Sequence, residues 1–229
     1  MAKHFLAGFL LVLAASTTAS SGTTLTLHNL CPYPVWPLVT PNTGFPAISD
    51  NTARLDGGGR GLVSFPFPPT FWAGRIVART GCGPRGCETG DAPPATVVQL
   101  AVHAAAQQED LAAYSVSLVD GFNVPAVVSP QAVGGGQCPA LGCAADVNAA
   151  CPRDAARVVR GRVVACGKAA GAGFFKARCP MTRTTGSDVE PVPQRCVAPG
   201  ELKVVFCQPA MVSEPEEIIR RTVVVFADN

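Results

Sequence analysis

The sequence predicts an all-β fold, an antiparallel β-sandwich stapled by disulfides, and three observations predict it. Short stretches rich in β-branched and aromatic residues recur with two-residue alternation, the period of a strand with one buried face. Twenty-one prolines and twenty-three glycines spread over 229 residues interrupt any long helix. Ten cysteines, an even number, all lie beyond an apolar N-terminal segment, as a bridged framework in an oxidising compartment requires.

The first strand falls at residues 24–28, where Leu25 and Leu27 face one side and His28 falls with the threonines on the other, solvated side. Further β-rich stretches occupy 33–38, 62–67, 75–79, 96–103, 114–119, 124–128 and 202–207, separated by glycine and proline clusters. Only 144–149 and 174–178 suit short helices, since no segment sustains helical apolar periodicity. Antiparallel sheets packed face to face bury alternate side chains of such strands.

The ends carry their own signals. Lys3 precedes an apolar run at 5–15 and the small residues Ala19, Ser21 and Gly22, the layout of a secretory signal peptide over 1–21 with cleavage between Ala19 and Thr23. Eleven residues are too few to span a bilayer. One domain is expected over 22–209. In the tail, 210–229, the charged run 214–221 precedes the apolar run 222–226, which fits an added strand or a removable extension. The mature chain is nearly neutral and has no Lys/Arg block, which argues against nucleic acid as a partner. With no second apolar segment of membrane-spanning length, the product is expected to be soluble in the secretory lumen or outside the cell. No Cys-x2-Cys occurs and His4, His28 and His103 are scattered, so neither a metal nor a cofactor is expected.

Between Cys31 and Pro209 an ordered series of segments resembles the plant thaumatin-like, pathogenesis-related family. The segments are Cys31-Pro-Tyr-Pro-Val-Trp-Pro37, Ala78-Arg-Thr-Gly-Cys82, Cys87-Glu-Thr-Gly-Asp91, Ser117-Leu-Val-Asp-Gly-Phe-Asn-Val-Pro125, Gly142-Cys-Ala-Ala-Asp146, Cys151-Pro152, Phe174-Phe-Lys-Ala-Arg-Cys-Pro180 and Val205-Phe-Cys-Gln-Pro209. The resemblance implies a sandwich of thaumatin type and the bridges Cys31 to Cys207, Cys82 to Cys87, Cys138 to Cys196, Cys143 to Cys179, and Cys151 to Cys166. Bridges common in the family are missing as whole pairs. One is absent at Ala92 and shortly after it. The others belong to the family's small second domain, largely deleted between Cys166 and Phe174, where Ala170 stands at one former cysteine.

The same resemblance implies a cleft lined by an arginine and several carboxylates, proposed to engage β-1,3-glucan or membrane-associated targets, with weak glucanase activity in some members. Its arginine falls on Arg75, its glutamate on Gln99, and its aspartates on Ser115, Asp120 and, by ungapped counting from Cys179, Asp188. Asp120-Gly121 is also a strong turn signal. Glycoside hydrolysis needs two carboxyl groups flanking the scissile bond, one of them held protonated. Gln99 hydrogen-bonds a sugar hydroxyl but transfers no proton near neutral pH. With two carboxylates replaced, and with no Gly-x-Ser-x-Gly elbow or His-paired nucleophile, the expectation is binding rather than catalysis.

Two binding readings follow. One is a monomeric, secreted antifungal defence protein that holds a fungal cell-wall polysaccharide, with Trp72 and Tyr114 either meeting sugar rings or serving the core. The other is an inhibitor of microbial glycosidases such as xylanases, with the loop 82–87 entering the enzyme. Its Gly83-Pro-Arg-Gly86 also reads as a plain tight turn. A vacuolar destination through the tail is the alternative to the apoplast.

Overall fold

The computed structural model describes residues 22–103, 111–189, 192 and 194–209; the anticipated leader and tail lie outside them. β1 (Thr24–Asn29) buries Leu25 and Leu27 completely, as its alternation demands. Its opposite face is less open than expected. Thr26 Oγ1 bonds Ser64 Oγ at 2.8 Å and His28 Nε2 lies 3.1 Å from the Gly59 carbonyl. The reason is that β3 (Gly61–Pro66) pairs alongside β1 and, with the turn that leads into it, supplies polar partners there.

The remaining strands are β2 (Trp36–Pro41), β4 (Trp72–Arg79), β5 (Val97–His103), β6 (Leu111–Ser117), β7 (Ala126–Gln137), β8 (Leu141–Cys143), β9 (Ala156–Val159), β10 (Arg162–Cys166) and β11 (Arg195–Phe206). Among the described residues nine of the eleven strands, all but β9 and β10, join one curled sheet in the order β2-β4-β5-β6-β11-β1-β3, with β7 also on β11 and β8 on β7. Strand pairing among the described residues is antiparallel except for β1, which runs parallel to β11.

β11 is the seam. One edge carries β7 along most of its length; the other carries β6 at Cys196 and Val197 and then β1 at 201–206. The change of partner falls at Pro199 and Gly200, where proline has no N–H to extend a ladder. Threonine hydroxyls take up the carbonyls there: Thr23 Oγ1 donates to Pro199 O at 2.6 Å and Thr24 Oγ1 to Gly200 O at 3.2 Å. The curl encloses the main core, which includes Leu25, Leu27, Trp72, Ile76, Leu100, Tyr114, Leu202 and Phe206.

The two short helices occur close to their expected places. Residues 144–149 give a 3-10 turn at Val147–Ala150, capped by Asp146, whose Oδ1 accepts from Asn148 N–H at 3.1 Å. Residues 174–178 lie within α1 (Ala172–Arg178), which follows a 3-10 turn at Lys168–Ala170. Between Cys151 and Cys179 the chain otherwise holds only the β9–β10 hairpin. A second, smaller core forms here from Leu118, Phe122, Val147, Ala155 and Phe175 with three cysteines. The bridges are Cys31–Cys207, Cys82–Cys87, Cys138–Cys196, Cys143–Cys179 and Cys151–Cys166, and no cysteine is left free.

Candidate functional site

Alternation along β4, β5 and β6 sends Ile76, Leu100 and Tyr114 into the core and their neighbours outward. The strand register then aligns the outward residues: Arg75 stands beside Gln99, and Gln99 beside Ser115. Thr40 of β2 flanks Arg75 on its other side. Ser115 is nearly buried and its hydroxyl donates to Gln99 Oε1 at 3.2 Å. Arg75, Gln99 and Ser115 form the floor of a cleft of about 520 Å³, whose other polar lining comes from Asn42, Arg183 and Gln194.

The far edge of β6 explains how Arg183 and Gln194 arrive there. β11 covers that edge only at Leu111 and Ala112. Beyond it, the Gln194 amide replaces a strand: its Oε1 accepts from Tyr114 N–H at 3.2 Å and its Nε2 donates to Tyr114 O at 2.8 Å. Further on, the Arg183 backbone continues the ladder, donating to Val116 O at 2.9 Å and accepting from Leu118 N–H at 2.7 Å. Polar groups of an otherwise bare strand edge are thereby satisfied. No motif in the sequence marks either residue, and both were missed for that reason.

Arg75 also borders a smaller hollow of about 140 Å³ that includes Asp91 and Asp120. Asp120 thus shares Arg75 with the main cleft without lining it, and no ion pair joins the two. Its local role is the turn: Gly121, at φ +98°, donates to Leu118 O at 3.0 Å, and a Cβ at Gly121 would meet Cys166 O at 2.5 Å.

Asp188 does not join the cleft either. Its Oδ2 accepts from Thr184 N–H at 2.7 Å and Thr184 Oγ1 at 3.0 Å, its Oδ1 accepts from Thr185 Oγ1 at 3.1 Å, and Lys176 Nζ lies 3.5 Å away. The Thr184 bonds, followed by the Thr185 hydroxyl and the Lys176 charge, hold this carboxyl well below the usual carboxylate range. Asp188 therefore closes the loop that follows Arg183.

Trp72 and Tyr114 are core residues, 0% and 3% exposed, so their rings are not platforms for sugar. Each polar handle finds a carbonyl: Trp72 Nε1 donates to Pro46 O at 3.0 Å and Tyr114 OH to Pro139 O at 2.7 Å. Burial raises the Tyr114 phenol to about 12. The loop 82–87 is an exposed hairpin in which Gly83 and Gly86 exchange two backbone bonds of 3.0 and 3.1 Å beneath Pro84 and Arg85. Among the described residues no cluster of three or more His, Cys, Asp or Glu is arranged to hold a metal, and no helix is long and apolar enough to cross a membrane.

A curled, mostly antiparallel sheet with five bridges and an open polar cleft on its outer face defines a disulfide-stapled β protein of thaumatin type. The family model for the thaumatin family matches residues 29–173. The chain is 36% identical over 241 residues to an osmotin-like protein of Solanum lycopersicum, covering 86% of this chain and 93% of that one. It is 34% identical over 170 residues to thaumatin-like protein 1 of Arabidopsis thaliana, covering 64% and 63%. It is also 33% identical over 210 residues to a Prunus avium protein named glucan endo-1,3-beta-glucosidase, covering 83% and 76%. The chain belongs to the thaumatin family.

Proposed function

We propose that this thaumatin-family member is a secreted plant defence protein that holds a microbial cell-wall polysaccharide in the Arg75–Gln99–Ser115 cleft without cleaving it. One observation carries the reading: among the described residues the cleft lining combines apolar surface with the hydrogen-bonding groups of Arg75, Gln99, Ser115, Asn42, Arg183 and Gln194, and has no carboxylate. A sugar there would meet guanidinium and amide groups, which bind hydroxyls. Neither donates or removes a proton in the way that glycoside hydrolysis requires. The Prunus avium relative bears an enzyme's name, so hydrolysis is part of the test. The reading takes 1–21 as a leader, 22–209 as the working domain and 210–229 as an added strand or a removable extension.

The experiment is a pull-down of the purified protein on insoluble β-1,3-glucan, with an assay for new reducing ends on laminarin. Retention on glucan without reducing ends is expected. Hydrolysis that disappears in Gln99→Ala would overturn the non-catalytic reading.

A second reading rests on a different surface. The hairpin 82–87 is exposed, closed by its own bridge, and has Arg85 near its tip. A loop ordered in advance lowers the entropy cost of entering an enzyme's cleft. Stoichiometric inhibition of fungal xylanases or glucanases, with no retention on glucan, would favour this reading over the first.

A further inference from the structure

We infer that the cleft selects a sugar bearing a carboxylate, a uronate-containing saccharide, over a neutral glucan; this rests on the polysaccharide-binding reading and narrows its ligand. Two observations carry it. The first is charge. Arg75 and Arg183 both line the cleft, no aspartate or glutamate lines it among the described residues, and neither arginine takes part in an ion pair among them. Three acids of the surrounding loops have other places. Asp91 and Asp120 lie in the hollow on the other side of Arg75, and Asp188 is engaged by Thr184, Thr185 and Lys176. Two guanidinium groups without an ion-pair partner, lining one open cleft, favour an anion between them.

The second observation is hydrogen-bond polarity. Ser115 donates its proton to Gln99 Oε1, which takes up part of that oxygen's accepting capacity and leaves the Gln99 amide N–H groups as donors in the cleft lining. Gln194 is similarly committed, with both its oxygen and its nitrogen bonded to the Tyr114 backbone. Two guanidinium groups and the Gln99 amide N–H groups then face the acceptors left on Asn42 and Ser115, so donors outnumber acceptors in the cleft. A neutral sugar hydroxyl accepts from these donors through single, uncharged bonds, whereas a carboxylate only accepts, carries the opposite charge and matches the planar guanidinium in a two-bond fork. The separate hollow around Trp36 has no such bias, because Glu88 and Asp146 accompany Arg162 there.

The test is calorimetric titration of the full mature protein with hexagalacturonate, laminarihexaose and mannose 6-phosphate at low and high salt. Hexagalacturonate should bind at least about tenfold more tightly than laminarihexaose, and the preference should shrink as salt rises. Arg75→Gln and Arg183→Gln should each weaken hexagalacturonate about tenfold and leave laminarihexaose little changed, while Arg75→Lys restores part of the loss. Circular dichroism melts check that each variant is folded, and the salt dependence of the unmodified protein needs no variant. Equal or tighter binding of laminarihexaose, or salt-independent binding of hexagalacturonate, would overturn uronate selection. So would tighter binding of mannose 6-phosphate, which would assign the anion to phosphate. Retention on insoluble glucan with no preference for hexagalacturonate sinks this inference and leaves the polysaccharide-binding reading standing. Binding of hexagalacturonate without retention on glucan supports it and removes only β-1,3-glucan as the ligand.

Discussion

Among the described residues twenty-four buried ones pack beneath the curled sheet, two of them cysteines, whereas the core around α1 has eight, three of them cysteines. The larger region is secured by burial and by ladders that run through seven strands in a row. The smaller has one short helix, one hairpin and few apolar side chains, and Cys143–Cys179 and Cys151–Cys166 tie it down. Where apolar area is scarce, covalent links supply what packing does not. Both regions build the cleft: Arg75, Gln99 and Ser115 stand on the sheet, and Arg183 follows the segment bridged at Cys179.

The comparison is broken or sharpened most strongly by removing bridges. Cys31 and Cys207 are 176 residues apart in sequence, so Cys31→Ala/Cys207→Ala should cost about 5 kcal/mol in the chain-entropy account and lower the melting temperature of the whole domain. Cys143 and Cys179 enclose a shorter loop, of separation 36, and their removal should cost about 4 kcal/mol, felt first in the smaller core. Hydrogen exchange reads the difference: amides of α1 should lose protection while those of β5 keep it. Simultaneous loss in both would mean that the two cores open as one unit.

Asn123 joins the regions through hydrogen bonds instead. Its Oδ1 accepts from Thr96 N–H at 2.9 Å and its Nδ2 donates to Ala78 O at 2.7 Å and Thr89 Oγ1 at 3.0 Å, while Asn148 Nδ2 donates to its carbonyl at 2.9 Å. Asn123→Ala would strand buried partners and should cost about 2–4 kcal/mol in a chemical melt.

The smallest effect concerns Asp188. Its carboxyl is held below the usual range, so the stability it lends is present above the ordinary carboxylate pKa and is lost only as pH falls through its own depressed value. The 184–188 loop should therefore stay ordered at acidities that protonate most carboxylates. Asp188→Asn should loosen the loop at neutral pH and abolish that acid-dependent step, as seen by NMR of Thr184 and Thr185.

Much of the sheet was legible because strands with one buried face write their period into the sequence: β5 reads Val-Val-Gln-Leu-Ala-Val-His, and the residues at 98, 100 and 102 are the buried ones. What escaped was structure whose reason lies elsewhere in the chain. β7 continues through Gly134, Gly135 and Gly136, residues of poor strand propensity, because β11 pairs with it there. The β9–β10 hairpin turns at Arg160 and Gly161, both at positive φ, where arginine gives a weaker turn signal than asparagine or aspartate would. The parallel pairing of β1 with β11 left no local mark. In the cleft, family position alone pointed to Arg75, Gln99 and Ser115, which the strand register sets side by side, but Arg183 and Gln194 depend on the uncovered edge of β6, which only the assembled sheet reveals.

The central claim is that the sheet-borne floor of the cleft binds saccharide and leaves it intact. Titration of isotopically labelled protein with cell-wall oligosaccharides, followed by NMR with reducing ends counted in the same tube, tests it most directly. The account predicts saturable shifts at Arg75, Gln99 and Ser115, lost in Arg75→Gln, with no new reducing ends. Shifts confined to the 82–87 hairpin, or reducing ends that accumulate with time, would contradict it.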